Sequence, residues 1–85
     1  MSDYRFSVIV LAGPMTHDEI LDATDAVGEA GCTDASIRGH IEGMELLFER
    51  KSDSLQAAIS SAIAAVEQAG YRVARVEMER DAIPV

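Results

Sequence analysis

An α+β fold in the order β-α-β-β-α-β is what this sequence of 85 residues predicts. Two stretches with a helical period sit among runs that alternate every second residue. Both helical stretches end on the same Ala-Gly punctuation, and the segments around them repeat at a fixed spacing.

Tyr4 to Ala12 is rich in β-branched and aromatic residues and stops at Gly13-Pro14, which predicts a central strand. Thr16 with Glu19 three residues later is a capping-box spacing, so a helix starts there. Ile20, Ala23, Thr24, Val27 and Ala30 share one helix face, and Gly31 stops it. Ala35, Ile37 and Ile41 alternate with Ser36, Arg38 and His40, predicting a half-buried strand. Glu42-Gly43 reads as its turn, and Glu45 to Arg50 as the returning arm of a hairpin. Asp53, with Gln56 in the reciprocal position, predicts a second capped helix. Its stripe is Leu55, Ile59, Ala62, Ile63 and Val66, and it ends at Gly70. Val73 to Glu79 alternates again, with Ala74, Val76 and Met78 on one face. Arg80 to Val85 contains Pro84 and is expected to fray.

Ala26-Val27-x-x-Ala30-Gly31 recurs as Ala65-Val66-x-x-Ala69-Gly70, an offset of 65 − 26 = 39. The same offset sets Ala35 on Ala74, Ile37 on Val76 and Val8 on Leu47. Two right-handed βαβ halves follow, which place both helices on one face of a four-stranded antiparallel sheet. This is the ferredoxin-like arrangement. The expected core is Val8, Val10, Ile20, Val27, Ile37, Phe48, Ile59, Ile63, Val66 and Val76.

Residues 1–85 have room for one domain only, and roughly 60% burial at this size makes a lone core marginal, so a homodimer is expected. Fifteen acidic against seven basic residues give a net charge of −8, which repels phosphate backbones and anionic membranes. Direct nucleic-acid and membrane partners are therefore not expected. The longest apolar run, Val8 to Ala12, is too short to span a bilayer. One cysteine, and no Cys-x-x-Cys, fits a reducing cytoplasm and leaves no zinc or redox motif.

Asp18, Asp22, Asp25 and Glu29 are spaced four, three and four apart and line one stripe of the first helix. From Pro14 to Ala35 there are six acids and no Lys or Arg, so most of the net charge sits here. The ridge reads as a solvated face, as a docking face for a basic protein partner, or as a weak divalent-cation site. The outward face of the second helix, Ala57, Ser60, Ser61, Ala64 and Gln68, is small and uncharged. It reads as alanine enrichment for helix propensity or as a self-association surface. The open sheet face is expected to carry Ser7, Ile9, Arg38, His40, Glu45, Leu47, Glu49, Arg75 and Glu77. No aromatic platform for RNA bases is among them. Ile9 and Leu47 on that face, or Ala57, Ser61 and Ala64 on the helix, are the candidate dimer surfaces.

Met15 and His17 could ligate a soft metal, but metal-binding modules of this architecture place a Cys-x-x-Cys there, which this sequence lacks, and no metal or other cofactor is expected. Cys32 is expected to be a small buried thiol, and His40 has no nucleophile or acid at a helpful spacing. No catalytic constellation can be assembled, so enzymatic activity is not expected.

Tyr4-Arg5-Phe6, Glu29-Ala30-Gly31-Cys32-x-Asp34-Ala35 and Ser61-Ala62-Ile63-Ala64-Ala65-Val66 together resemble the N-terminal module of small bacterial helix-turn-helix, antitoxin-like proteins. In those proteins a DNA-binding segment follows the fourth strand, where this sequence has Ala82-Ile83-Pro84-Val85. The resemblance implies a regulatory or protein-interaction module without DNA contact of its own, and carries no catalytic residue across. Gly13 and Gly31 also fit a second resemblance, to amino-acid-sensing ACT modules with the same element order.

Overall fold

A computed structural model describes residues 2–13, 15–31 and 34–82. Strands β1 (Ser2–Leu11), β2 (Ala35–His40), β3 (Gly43–Ser52) and β4 (Val73–Glu77) form one antiparallel sheet in the order β2-β3-β1-β4. Helices α1 (His17–Glu29) and α2 (Leu55–Gln68) connect them as two crossovers, and a 3-10 turn, η1 (Arg80–Ala82), follows β4. This is the ferredoxin-like βαββαβ fold.

Local chemistry sets the helix ends. Thr16 Oγ1 accepts from the Glu19 N–H at 3.2 Å while Glu19 Oε1 accepts from the Thr16 N–H at 3.0 Å, closing the expected capping box. The N-cap of α2 is Ser54, whose hydroxyl accepts from the Ala57 N–H at 3.1 Å, rather than Asp53. A cap must sit three residues before the amide it satisfies, and Ser54 does so for a helix that begins at Leu55. The 39-residue repeat is real at the C-termini. Ala30 N–H bonds Ala26 and Ala69 N–H bonds Ala65, both at 3.1 Å, and Gly31 and Gly70 both adopt φ +97°.

The core lies between sheet and helices. Phe6, Val8 and Val10 of β1, Met44, Leu46 and Phe48 of β3, Ala23 and Val27 of α1, and Ala58, Ala62 and Val66 of α2 are all buried. Phe6 and Phe48 stack at 5.5 Å between ring centroids. Small alanines under α2 let it settle close to the sheet, so its buried stripe is rotated from the one expected. Ile59 lies on the flank of that stripe, while Ile63 and Ile20 are only half-buried.

Two expectations about the strands and their turn fail. A register shift between Ile9 and Val10 sets Val10 opposite Val73, leaving Ala74 as an extra, exposed residue. The bulge turns the larger apolar Val73 inward in place of Ala74 and ends β4 at Glu77. Leu47 faces the open side, as expected. The hairpin turn is Ile41-Glu42, with Ile41 87% exposed, because His40 already pairs with Gly43. Gly43 begins β3 at φ +150°, where an added Cβ would lie 2.4 Å from the Val10 carbonyl oxygen. The tail forms η1 over residues 80–82, and its expected fraying beyond that lies outside the described residues. Cys32 and Pro14 also lie outside them.

Candidate functional site

On the open face of the sheet Glu45 and Glu77, with Glu42 of the hairpin turn, are matched to arginines. Glu45 accepts from Arg38 Nε at 2.8 Å, and Arg75 reaches Glu42 with Nη1 at 2.7 Å and Glu77 with Nε at 2.8 Å. The Arg38 guanidinium holds the Glu45 carboxyl below its ordinary value, with help from the Ser7 hydroxyl and against the upward push of burial. Arg75 does the same for Glu42, and the two carboxylates raise Arg75 in turn. Ile9 sits between Glu45 and Arg75 in the register and is fully buried. It therefore offers no exposed aliphatic to a second molecule, contrary to expectation, whereas Leu47 is 41% exposed.

The other face of β3 carries a cluster that periodicity alone did not single out. Arg50 continues the inward row Met44, Leu46, Phe48 and so places a cation at the rim of the core. Its Nε and Nη2 donate to the two carboxylate oxygens of Asp34 at 2.9 and 2.8 Å, and Nη1 donates to Ser61 Oγ at 2.9 Å. Its guanidinium carbon lies 5.0 Å from the centroid of the Phe48 ring. One side chain thus ties β3, the approach to β2 and α2 together. Ser61 is consequently engaged within the molecule, while Ala57 and Ala64 are free on the outer face of α2. The alternation in the sequence held this signal: an arginine at an inward strand position needs a carboxylate nearby.

Asp18, Asp22, Asp25 and Glu29 are all exposed along α1, as their spacing requires. None of them forms an ion pair among the described residues. The ridge acids are thus left to solvent, whereas Asp34, Glu42, Glu45 and Glu77 are each paired with an arginine. The described residues hold no cluster of three metal-ligating side chains. His40 is occupied in the hairpin, where its Nδ1 accepts from the Glu42 N–H at 3.1 Å. Among the described residues no helix is long and apolar enough to cross a membrane.

A shallow groove of about 650 Å³ lies between the open face and the segment leading into η1. Arg5, Leu47, the Arg38–Glu45 pair, Glu79 and Asp81 are among its lining residues. Arg5, Glu79 and Asp81 make no ion pair among the described residues. No protein-family model, curated protein or solved structure matches the chain.

Proposed function

We propose that the chain is a non-enzymatic regulatory or protein-interaction module, working as a homodimer and docking a basic protein segment on the α1 ridge. The run of four exposed ridge acids, without an ion pair among the described residues, carries this reading. Glu42, Glu45, Glu77 and Asp34 are each matched with an arginine, while Asp18, Asp22, Asp25 and Glu29 stand exposed at four-, three- and four-residue spacing. Like charges at such spacing cost a helix roughly 0.2 to 0.5 kcal/mol per pair, a cost that a cationic partner offsets. The resemblance to antitoxin-like regulatory modules points the same way. The test is Asp22→Asn with Asp25→Asn, followed by titration with a Lys- and Arg-rich peptide. Docking on the ridge predicts weaker binding with a flatter salt dependence, and unchanged binding would return the ridge to a solubilising role.

A second reading is supported by the groove. The Arg5 guanidinium and the Glu79 and Asp81 carboxylates, without ion pairs among the described residues, line the groove with Leu47 and complement a zwitterion with an apolar side chain. That is the chemistry of an amino-acid sensor. Thermal shift with a panel of amino acids tests it: a ligand whose stabilisation is lost in Arg5→Gln supports the sensor.

A further inference from the structure

We propose that the edge of β2 is the seam of the homodimer, with β2 of one copy pairing antiparallel to β2 of a second copy across a two-fold axis at Ile37. This rests on the homodimer reading above and says which surface forms it.

The two edges of the sheet differ. β4 is five residues long, is broken by the bulge at Ala74 and carries Arg75 and Glu77. Shortness, bulges and charge are what keep an edge from pairing. β2 has six residues in unbroken register with β3, without Pro, Lys or a bulge. Its open backbone groups can be identified. The Glu49 N–H bonds the Asp34 carbonyl at 3.3 Å, and antiparallel bonding alternates, so Ser36, Arg38 and His40 bond inward to β3. Ala35, Ile37 and Gly39 then turn their N–H and C=O groups outward. Among the described residues, no backbone bond from a turn or loop takes these groups up.

That set is self-complementary. With Ile37 opposite Ile37 of the second copy, Ala35 falls opposite Gly39 and Ser36 opposite Arg38. All three outward N–H groups of each copy then find carbonyls, giving six bonds from strand geometry alone. A shift that sets Ile37 opposite Gly39 brings Arg38 against Arg38, and cross-strand like charges are unfavourable. The opposite shift leaves Gly39 without a partner. Above the seam, Ile20 reaches Gly39, its Cδ1 lying 3.4 Å from where a Cβ there would be. Leu21, Thr24 and Gly28 continue round α1 from Ile20 toward the β2 side. Leu21 is 50% exposed, and Thr24 and Gly28 leave room for the second α1. The acidic ridge points away from the sheet, so repulsion between two copies of charge −8 acts through solvent, where salt screens it.

Sedimentation equilibrium of the full chain, with amide exchange followed by NMR, tests the seam. Ser36 is exposed and outside the core, so its substitution reports pairing and not folding. Ser36→Lys, set against Arg38 twice by symmetry, should weaken the dimer roughly threefold to tenfold, and Ser36→Glu should tighten it comparably. Added salt should tighten the wild type. The amides of Ala35, Ile37 and Gly39 should exchange more slowly as concentration rises. A chain that stays monomeric at high micromolar concentration overturns both the seam and the homodimer. A dimer indifferent to both Ser36 variants, with those three amides exchanging freely, overturns the seam and leaves the homodimer standing.

Discussion

Arg50 grips Asp34 with two parallel N–H donors, at 2.8 and 2.9 Å, from a side chain only 15% exposed. Removing the carboxylate charge weakens two charge-assisted hydrogen bonds to a largely enclosed guanidinium. Asp34→Asn is therefore expected to cost about 1 to 3 kcal/mol. Denaturant unfolding measures it, and a loss below about 0.5 kcal/mol would mean that water replaces Asp34 without penalty.

Phe48 stacks on Phe6, lies beneath Arg50 and is buried. Phe48→Ala should cost about 3 to 5 kcal/mol, which for a domain of this size leaves little or no folded protein at room temperature. Circular dichroism at 25 °C would reveal it, and retention of the full helical signal with an unchanged melting temperature would contradict the packing described.

Asp34, Glu45 and Glu42 each lie below their ordinary values of 3.8, 4.5 and 4.5, chiefly through hydrogen bonds from Arg50, Arg38 and Arg75. A carboxyl with a depressed folded-state value stabilises the fold above its ordinary value and loses that contribution as pH falls through the depressed one. Stability should hold between pH 5 and neutrality in about the first approximation and decline below about pH 4. Arg50→Gln should flatten this acid limb. Melting temperatures measured from pH 7 to pH 2 decide it, and a parallel limb in the variant would place the titrating groups elsewhere.

Gly43→Ala meets a fixed obstacle, because its Cβ would sit 2.4 Å from the Val10 carbonyl oxygen and 2.6 Å from the Ala12 nitrogen, both backbone. The hairpin end would have to open, at about 3 kcal/mol or more. Gly28→Ala has open space around it and ordinary helical backbone, so it should be neutral or stabilising by up to about 1 kcal/mol. Equal effects at the two positions in thermal unfolding would refute the contrast.

Periodicity and punctuation made the element order legible, since Thr16 with Glu19 and the paired Ala-Gly endings are local signals with local causes. What escaped was decided by competition between neighbours. Ser54 displaced Asp53 as a cap because two adjacent residues offered suitable oxygens and only one fitted the helix start. Val73 took the inward position in place of Ala74, a choice settled by which side chain fills the space opposite Val10. Ile9 looked exposed because alternation assigns it to the open face, yet flanking strands with long ion-paired side chains bury it. The α1 ridge was readable because four acids with no intervening cation form a pattern within one helix. Arg50 with Asp34 and Ser61 was not, since those residues stand 16 and 11 positions apart and meet only through the fold.

The bulge at Ala74 also limits how the sheet can grow. With a regular β4, both borders would present an open row of backbone groups, and copies could add at either. Displacing one residue makes one border irregular and leaves the other straight. A sheet with a single receptive border is complete after one addition, and such an assembly closes at a fixed number of chains instead of propagating.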